Sequence, residues 1–209
     1  LANEGGIGII SGVQIGFKKE YFKKENKRAN LEGLVEEIRK AREISPKGII
    51  GVNIMTVANQ YKELVETAVK EKIDLIIAGA GLAKDLPQYV KGTSTKILPV
   101  VSSGKAAKVM TRLWMRNYDY VPDGIVVEGP LAGGHLGFSK EELRDDSITL
   151  FSRLKEVIDT LKPIEEKIGK KIPVIAAGGI FDGRDLVECL KAGADGVQMS
   201  TRFVASGGC

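Results

Sequence analysis

Short runs of β-branched and aliphatic residues recur along this chain at intervals of roughly 25 residues, each separated from the next by a segment of helical periodicity. The runs are Gly8–Ile10, Ile49–Ile54, Leu75–Ala78, Ile97–Val101, Ile125–Val127, Val174–Ala176 and Val197–Met199. Each is continuously apolar, the pattern of parallel strands covered on both faces. Amphipathic segments at 31–44, 57–72, 104–118, 148–168 and 183–192 supply the crossovers, with a shorter helix near 82–90. Asp182, with Asp185 three residues on, suits a helix start, and Gly193 a helix stop. Met110, Trp114 and Met115 fall at helical spacing and are expected in the core.

Seven β-units are therefore expected. Leu1-Ala-Asn-Glu-Gly-Gly6 reads as the last turn of a helix closed by glycine. Domains seldom begin by finishing a helix, so the fold class expected is an α/β (β/α)8 TIM barrel whose first strand and helix are absent from this chain. An open doubly wound sheet fits less well, because Gly79-Ala-Gly-Leu-Ala-Lys84 lacks the third glycine of a dinucleotide turn. Residues 1–209 are expected to form one barrel domain, incomplete at both ends.

Composition excludes several function classes. No apolar run approaches the length of a membrane span. A single histidine rules out a multi-histidine metal centre within one subunit, and no metal site is expected. Two cysteines, Cys189 and Cys209, are too few for a disulfide framework, so a reducing compartment, the cytoplasm, is expected. The formal net charge of +4 is too mild for a nucleic-acid binder. That excess is local: between Lys18 and Arg28 six cations face only Glu20 and Glu25. The stretch reads either as a solvated loop or as a docking patch for an anionic cofactor or carrier. The exposed helix faces carry mixed charges, with which a homodimer is compatible.

In a barrel the working residues lie at the C-terminal ends of the strands. Those ends hold Asn53, Gly79-Ala-Gly81, Ser102-Ser103, Glu128-Gly-Pro-Leu-Ala-Gly-Gly-His135, Ala177-Gly-Gly179 and Gln198-Met-Ser-Thr201. Gly178-Gly179 and Ser200-Thr201 follow the last two strands, a pair of loops that often binds phosphate through backbone N–H groups and a helix N-terminus. Side chains at the two glycines are expected to obstruct that approach. His135 ends a glycine-rich loop, and its imidazole suits proton transfer near neutral pH.

Glu128-Gly-Pro-Leu-Ala-Gly-Gly-His-Leu-Gly137, Ile172-Pro-Val-Ile-Ala-Ala-Gly-Gly-Ile180 and Gly196-Val-Gln-Met-Ser-Thr-Arg-Phe203 resemble signature blocks of the nitronate monooxygenase family, formerly called 2-nitropropane dioxygenases. Asn3–Ile10 and Gly51–Ile54 resemble its early blocks, so the likeness runs the length of the chain. The FMN-dependent enoyl-acyl carrier protein reductases share these motifs. The resemblance implies a β/α barrel that holds FMN without a covalent link. By position it implies flavin contacts at Asn53, Glu128 and Gly133. It also implies that Gly178, Gly179, Gln198, Met199, Ser200 and Thr201 hold the ribityl chain and phosphate, and that His135 is the catalytic histidine. Many members of the family carry glutamine where Glu128 stands, and glycine at Ser200.

The implied activity is the oxidation of alkyl nitronates by dioxygen to a carbonyl compound and nitrite. His135 would hydrogen-bond the nitro oxygens or take the α-proton of a nitroalkane. The alternative is an NAD(P)H-dependent enoyl-thioester reductase, which the basic patch favours. An alternative of another class is a non-catalytic flavin- or phosphate-binding module.

Overall fold

The computed structural model describes residues 1–206; Cys209 lies outside them. Packing groups the chain into two compact units, Leu1–Leu98 and a second that begins at Pro99.

In the first unit, parallel strands β1 (Ile7–Ser11), β2 (Ile49–Met55) and β3 (Leu75–Gly79) lie side by side in chain order. β1 is entered from a single 3-10 turn, Ala2–Glu4, closed by Gly5 at φ 85°. Helices α1 (Asn26–Ile44), α2 (Tyr61–Lys70) and α3 (Leu86–Val90) make the crossovers. β3 is buried at all five residues, which its sequence Leu-Ile-Ile-Ala-Gly anticipates. Leu34, Ile54, Ile76 and Leu86 are fully enclosed; burying a side chain of that size contributes about 1.5–3 kcal/mol.

The segment between β1 and α1 is irregular yet firmly held. Gly12 N–H donates to the Asn53 carbonyl at 2.9 Å. Gly16 N–H donates to Asn30 Oδ1 at 3.0 Å, and Asn30 Nδ2 donates to Gln60 Oε1 at 2.9 Å. Gln60 Nε2 then donates to the Lys27 carbonyl at 2.9 Å. Gly16 lies so close to α1 that a Cβ there would stand 2.2 Å from the Ala29 carbonyl. A buried amide pair and a glycine contact thus fix this segment where no apolar periodicity exists.

β4 (Lys96–Val101) carries the chain onward. Its Lys96 N–H donates to the Asp74 carbonyl at 2.8 Å, and its Val100 and Val101 pair with Val126 and Val127 in the second unit. There β4, β5 (Ile125–Glu128), β6 (Val174–Ala177) and β7 (Gly196–Gln198) run parallel in chain order. Helices α4 (Gly104–Tyr118), α5 (Leu150–Ile168), α6 (Gly183–Lys191) and a final turn α7 (Thr201–Val204) accompany them. Ile125, Val127, Val174 and Ala176 meet Ala107, Leu154, Val157 and Leu161 of the helices in one core. Trp114 is fully buried and Met110 nearly so, as their spacing predicts, while Met115 is only partly covered. No helix among the described residues is long and apolar enough to cross a membrane.

Candidate functional site

In the second unit the candidate residues gather at the C-terminal ends of β5, β6 and β7. Glu128 pairs in register with Ala177, and Ala177 with Gln198. Side chains alternate along a strand, and the helix-side core takes Ile125, Val127, Val174 and Ala176, with Val197 and Met199 packed against it. Glu128, Ala177 and Gln198 therefore share the face turned away from the helices. Met199, a predicted cofactor contact, presents its side chain to the helix side, leaving its backbone for any ligand at the strand ends.

The loop after β6 turns through Gly178 at φ 95° and Gly179 at φ 76°, conformations that L side chains rarely adopt. A Cβ on Gly178 would meet Ala132 at 2.9 Å, and one on Gly179 would meet the Leu131 side chain at 3.0 Å. The β5 loop packed on them thus itself requires glycine at both positions. Their conformation turns the amides of Gly178, Gly179 and Ile180 out of the ladder, and these donate to nothing among the described residues.

The start of α6 is a different matter. Asp182 Oδ1 accepts from the amides of Arg184 and Asp185 at 2.8 and 3.1 Å. Asp185 Oδ2 accepts from those of Phe181 and Asp182 at 2.8 and 3.2 Å. This capping box places two carboxylates on the first turn of α6 and closes that turn to an anion. The unpaired donors are those of the preceding loop, together with Met199, Ser200, Thr201 and Arg202 beyond β7. Ser200 makes no side-chain cap, and Ser200 and Thr201 are exposed. The Arg202 guanidinium lies 4.8 Å from the centre of the Phe181 ring, which brings a cation alongside the same two loops. Such a set of free amides and one guanidinium could hold a phosphate.

Two polar side chains at the strand ends have no partner. Gln198 Oε1 is buried without a hydrogen bond. The Glu128 carboxyl, half-buried and unpaired, is pushed above the usual carboxylate range by burial alone.

His135 stands on the loop after β5, and that loop is tied down at both ends. Gly129 N–H donates to the Ala177 carbonyl at 2.9 Å, and Ala132 N–H to Gly129 at 3.1 Å. At the far end Ser102 Oγ donates to the Gly137 carbonyl at 2.8 Å. Arg153 lies over the Phe138 ring and pairs with Glu142 and Glu156 at 2.7 and 2.8 Å. Between these anchors Gly133, Gly134 and His135 are exposed, with open space beside both glycines. The loop can therefore present an imidazole from a fixed base.

In the first unit Asn53 ends up near the C-terminus of β2, its carbonyl engaged by Gly12 and its side-chain amide unpaired. The basic segment follows the same end of β1. Lys19 pairs with Glu36, Arg28 with Glu25 and Glu32, and Tyr21 donates to Glu32. Lys23, Lys24 and Lys27 are exposed without a carboxylate, and Lys18 only overlies Phe17.

Residues 22–209 match the nitronate monooxygenase family. Among curated proteins, the chain is 28% identical over 203 residues to the (3aS,4S,5R,7aS)-5-hydroxy-7a-methyl-1-oxo-octahydro-1H-indene-4-carboxyl-CoA dehydrogenase of Mycobacterium tuberculosis, covering 97% of this chain and 47% of that protein. It is 29% identical over 154 residues to a probable nitronate monooxygenase of Staphylococcus aureus, covering 73% of this chain and 39% of the relative. The solved structure of FabK from Thermotoga maritima superposes with a TM-score of 0.74 at 30% identity, over 99% of this chain and 53% of that one. This likeness, with the parallel β/α alternation, bears out the barrel class expected from the sequence. The chain spans about half the length of the curated relatives it matches.

Proposed function

The chain belongs to the nitronate monooxygenase family, and from that premise we propose that it is an FMN-dependent oxidoreductase that converts alkyl nitronates and nitroalkanes, with dioxygen, to carbonyl compounds and nitrite. Residues 1–209 serve in this reading as one flavin-binding domain of a cytoplasmic enzyme. The observation that carries it is the row of unpaired amides beyond β6 and β7, beside a tethered loop that offers the chain's lone histidine.

The residues present fit the cofactor. A phosphate dianion needs donors, and Gly178, Gly179, Ile180, Ser200 and Thr201 offer backbone N–H groups that no other described residue uses. Gln198 Oε1, buried and unsatisfied, suits a ribityl hydroxyl. Gly133 and Gly134 leave room beside the loop. When bound, FMN supplies the electron acceptor for the substrate and the electron donor for dioxygen.

The protein supplies orientation and proton transfer. His135 hydrogen-bonds the nitro oxygens of a nitronate. Toward a neutral nitroalkane its unprotonated ring nitrogen takes the α-proton, the C–H electron pair stays on the substrate, and the ring becomes imidazolium. The test is direct: FMN-loaded full-length protein consumes dioxygen and releases nitrite with propyl-2-nitronate, and an absence of uptake rejects the reading.

A second reading, reduction of enoyl thioesters by NAD(P)H through FMN, is favoured by one observation. Lys18, Lys23, Lys24 and Lys27 stand without carboxylates on a segment fixed at the end of β1, a surface suited to phosphate-bearing nicotinamides and acidic carriers. The Mycobacterium tuberculosis relative is named for a CoA thioester. Under this reading NADPH bleaches the flavin in stopped flow. K23E/K24E slows bleaching about tenfold at low ionic strength, an effect that fades with salt. No bleaching at millimolar NADPH dismisses it.

A further inference from the structure

The stretch that returns from His135 to α5 has almost no packing of its own. From Gly137 to Ser147 every residue is exposed except Phe138 and Glu142, which are half-buried. Its single 3-10 turn, Glu142–Arg144, buries nothing. The two exceptions are the residues that Arg153 of α5 holds. Its guanidinium lies 5.5 Å from the centre of the Phe138 ring, and its Nη2 donates to Glu142 Oε1 at 2.7 Å. Glu142 passes the hold along the loop. Its Oε2 accepts from the Ser139 amide at 2.9 Å, and its own amide donates to Ser139 Oγ at 3.2 Å.

Arg153 is mounted on rigid ground. The adjoining Leu154 is fully buried in the core, and Nη1 of Arg153 donates to Glu156 Oε2 at 2.8 Å. The other oxygen of Glu156 accepts from the Gly104 amide, at the start of α4, at 2.9 Å. There the two helices are so close that a Cβ on Gly104 would stand 2.9 Å from the Glu156 carbonyl. The Arg153 side chain is only 15% exposed. It stands near the N-terminal end of α5, where the helix dipole offers a cation no stabilisation. One planar fork spans two carboxylates while its face lies on a ring, which a lysine cannot reproduce. The cation therefore serves the loop and not its own helix.

We propose that Arg153 is a positioning residue for His135. Through Phe138 and Glu142 it fixes the stretch that, together with the Ser102 bond to the Gly137 carbonyl, sets where the imidazole stands. Only Leu136 and Gly137 separate His135 from Phe138, so a shift of the stretch is delivered to the ring. The inference rests on the nitroalkane reading of His135 and adds the element that keeps the base in place. A misplacement of about 1 Å at a reacting group lowers the rate by up to about a hundredfold.

The test compares full-length wild type, R153M, H135A and H135A/R153M in steady-state oxygen uptake with nitroethane. Methionine keeps much of the apolar stem and removes the fork. R153M is expected to lower kcat/KM by about 10–100-fold while binding FMN as wild type does. In the H135A background the same substitution costs nothing more, because the group it places is already gone. A structural role unrelated to His135 gives losses that multiply. That result, or wild-type turnover by R153M, overturns the inference. Should R153M fail to fold, E142A on its exposed turn outside the core is expected to reproduce the pattern. Hydrogen exchange across residues 137–144 gives a readout independent of turnover. R153M or E142A accelerates it by at least about tenfold while α4 keeps its protection. Absence of nitroethane turnover in wild type removes the oxidation reading, and exchange then decides the inference: acceleration upholds the Arg153 clasp, and unchanged exchange overturns it.

Discussion

Replacing His135 by alanine is expected to lower kcat/KM for a neutral nitroalkane by about 10²–10⁴-fold, the range that a positioned general base contributes, while FMN remains bound. The expectation follows from how the loop is built. Its ends are held by Ala177, Ser102 and the Arg153 cluster, and its tip is exposed with open space beside Gly133 and Gly134. Nothing in the described packing depends on the imidazole, so its removal leaves the anchors intact. A preformed nitronate has already lost its α-proton, and with that substrate H135A loses only a hydrogen bond, about tenfold. The split between the two substrates is the diagnostic, read from steady-state oxygen uptake. Equal losses contradict a base role. No loss with either substrate points to a surface histidine, or to a module that binds flavin without turning it over.

Gly178→Ala is expected to weaken FMN binding by at least about tenfold without unfolding the second unit. Gly178 holds φ 95°, and a side chain there incurs about 1–3 kcal/mol of strain. Its new methyl would also stand 2.9 Å from both the Cβ and the amide nitrogen of Ala132. Backbone cannot yield as a flexible side-chain tip does, so the β6 and β5 loops must part. That displacement moves the free amides of Gly178, Gly179 and Ile180 together. Fluorescence titration with FMN reads the loss, and circular dichroism checks that helix and strand content persist. Unchanged affinity in a folded variant removes these amides from the cofactor site. Gly169 offers a control: it has φ 65° but no atom within 4 Å of a would-be Cβ, and it lies at the far end of α5. G169A is accordingly expected to cost some stability and leave FMN affinity untouched.

Strand positions were legible because parallel strands are apolar on both faces, and β2 through β6 fall within a residue or two of the runs that announce them. α4 was legible at both ends, since Ser103 caps it and its apolar stripe persists to Tyr118. The capping box of Asp182 and Asp185 was legible for the same local reason. α1 begins at Asn26, earlier than its apolar stripe at Leu31 suggests, because its first turns are secured by polar contacts: Asn30 to Gly16 and Gln60, and Gln60 back to Lys27. Conversely α2 begins at Tyr61 and not at Val57, because Thr56 N–H and Oγ1 bond the Gly79 and Ala80 carbonyls beyond β3 and hold that stretch as a turn.

The site shows the same division. Glycines at 178 and 179 are evident in the sequence, yet their cause, the Leu131–Ala132 stretch lying on them, is a long-range contact that no local pattern encodes. Closure of the α6 start follows from Asp182 and Asp185, whose three-residue spacing is local and readable in the sequence. That Glu128 and Gln198 share a face across Ala177 follows from register. That both lack partners is a property of the packed structure alone.

The central claim is that the loops beyond β5, β6 and β7 hold a flavin, and the visible absorption spectrum of the purified full-length protein tests it most directly. The expected result is the visible absorption of a bound flavin, about one FMN per chain, released intact on denaturation. A colourless protein that gains no such absorption on incubation with FMN would contradict it.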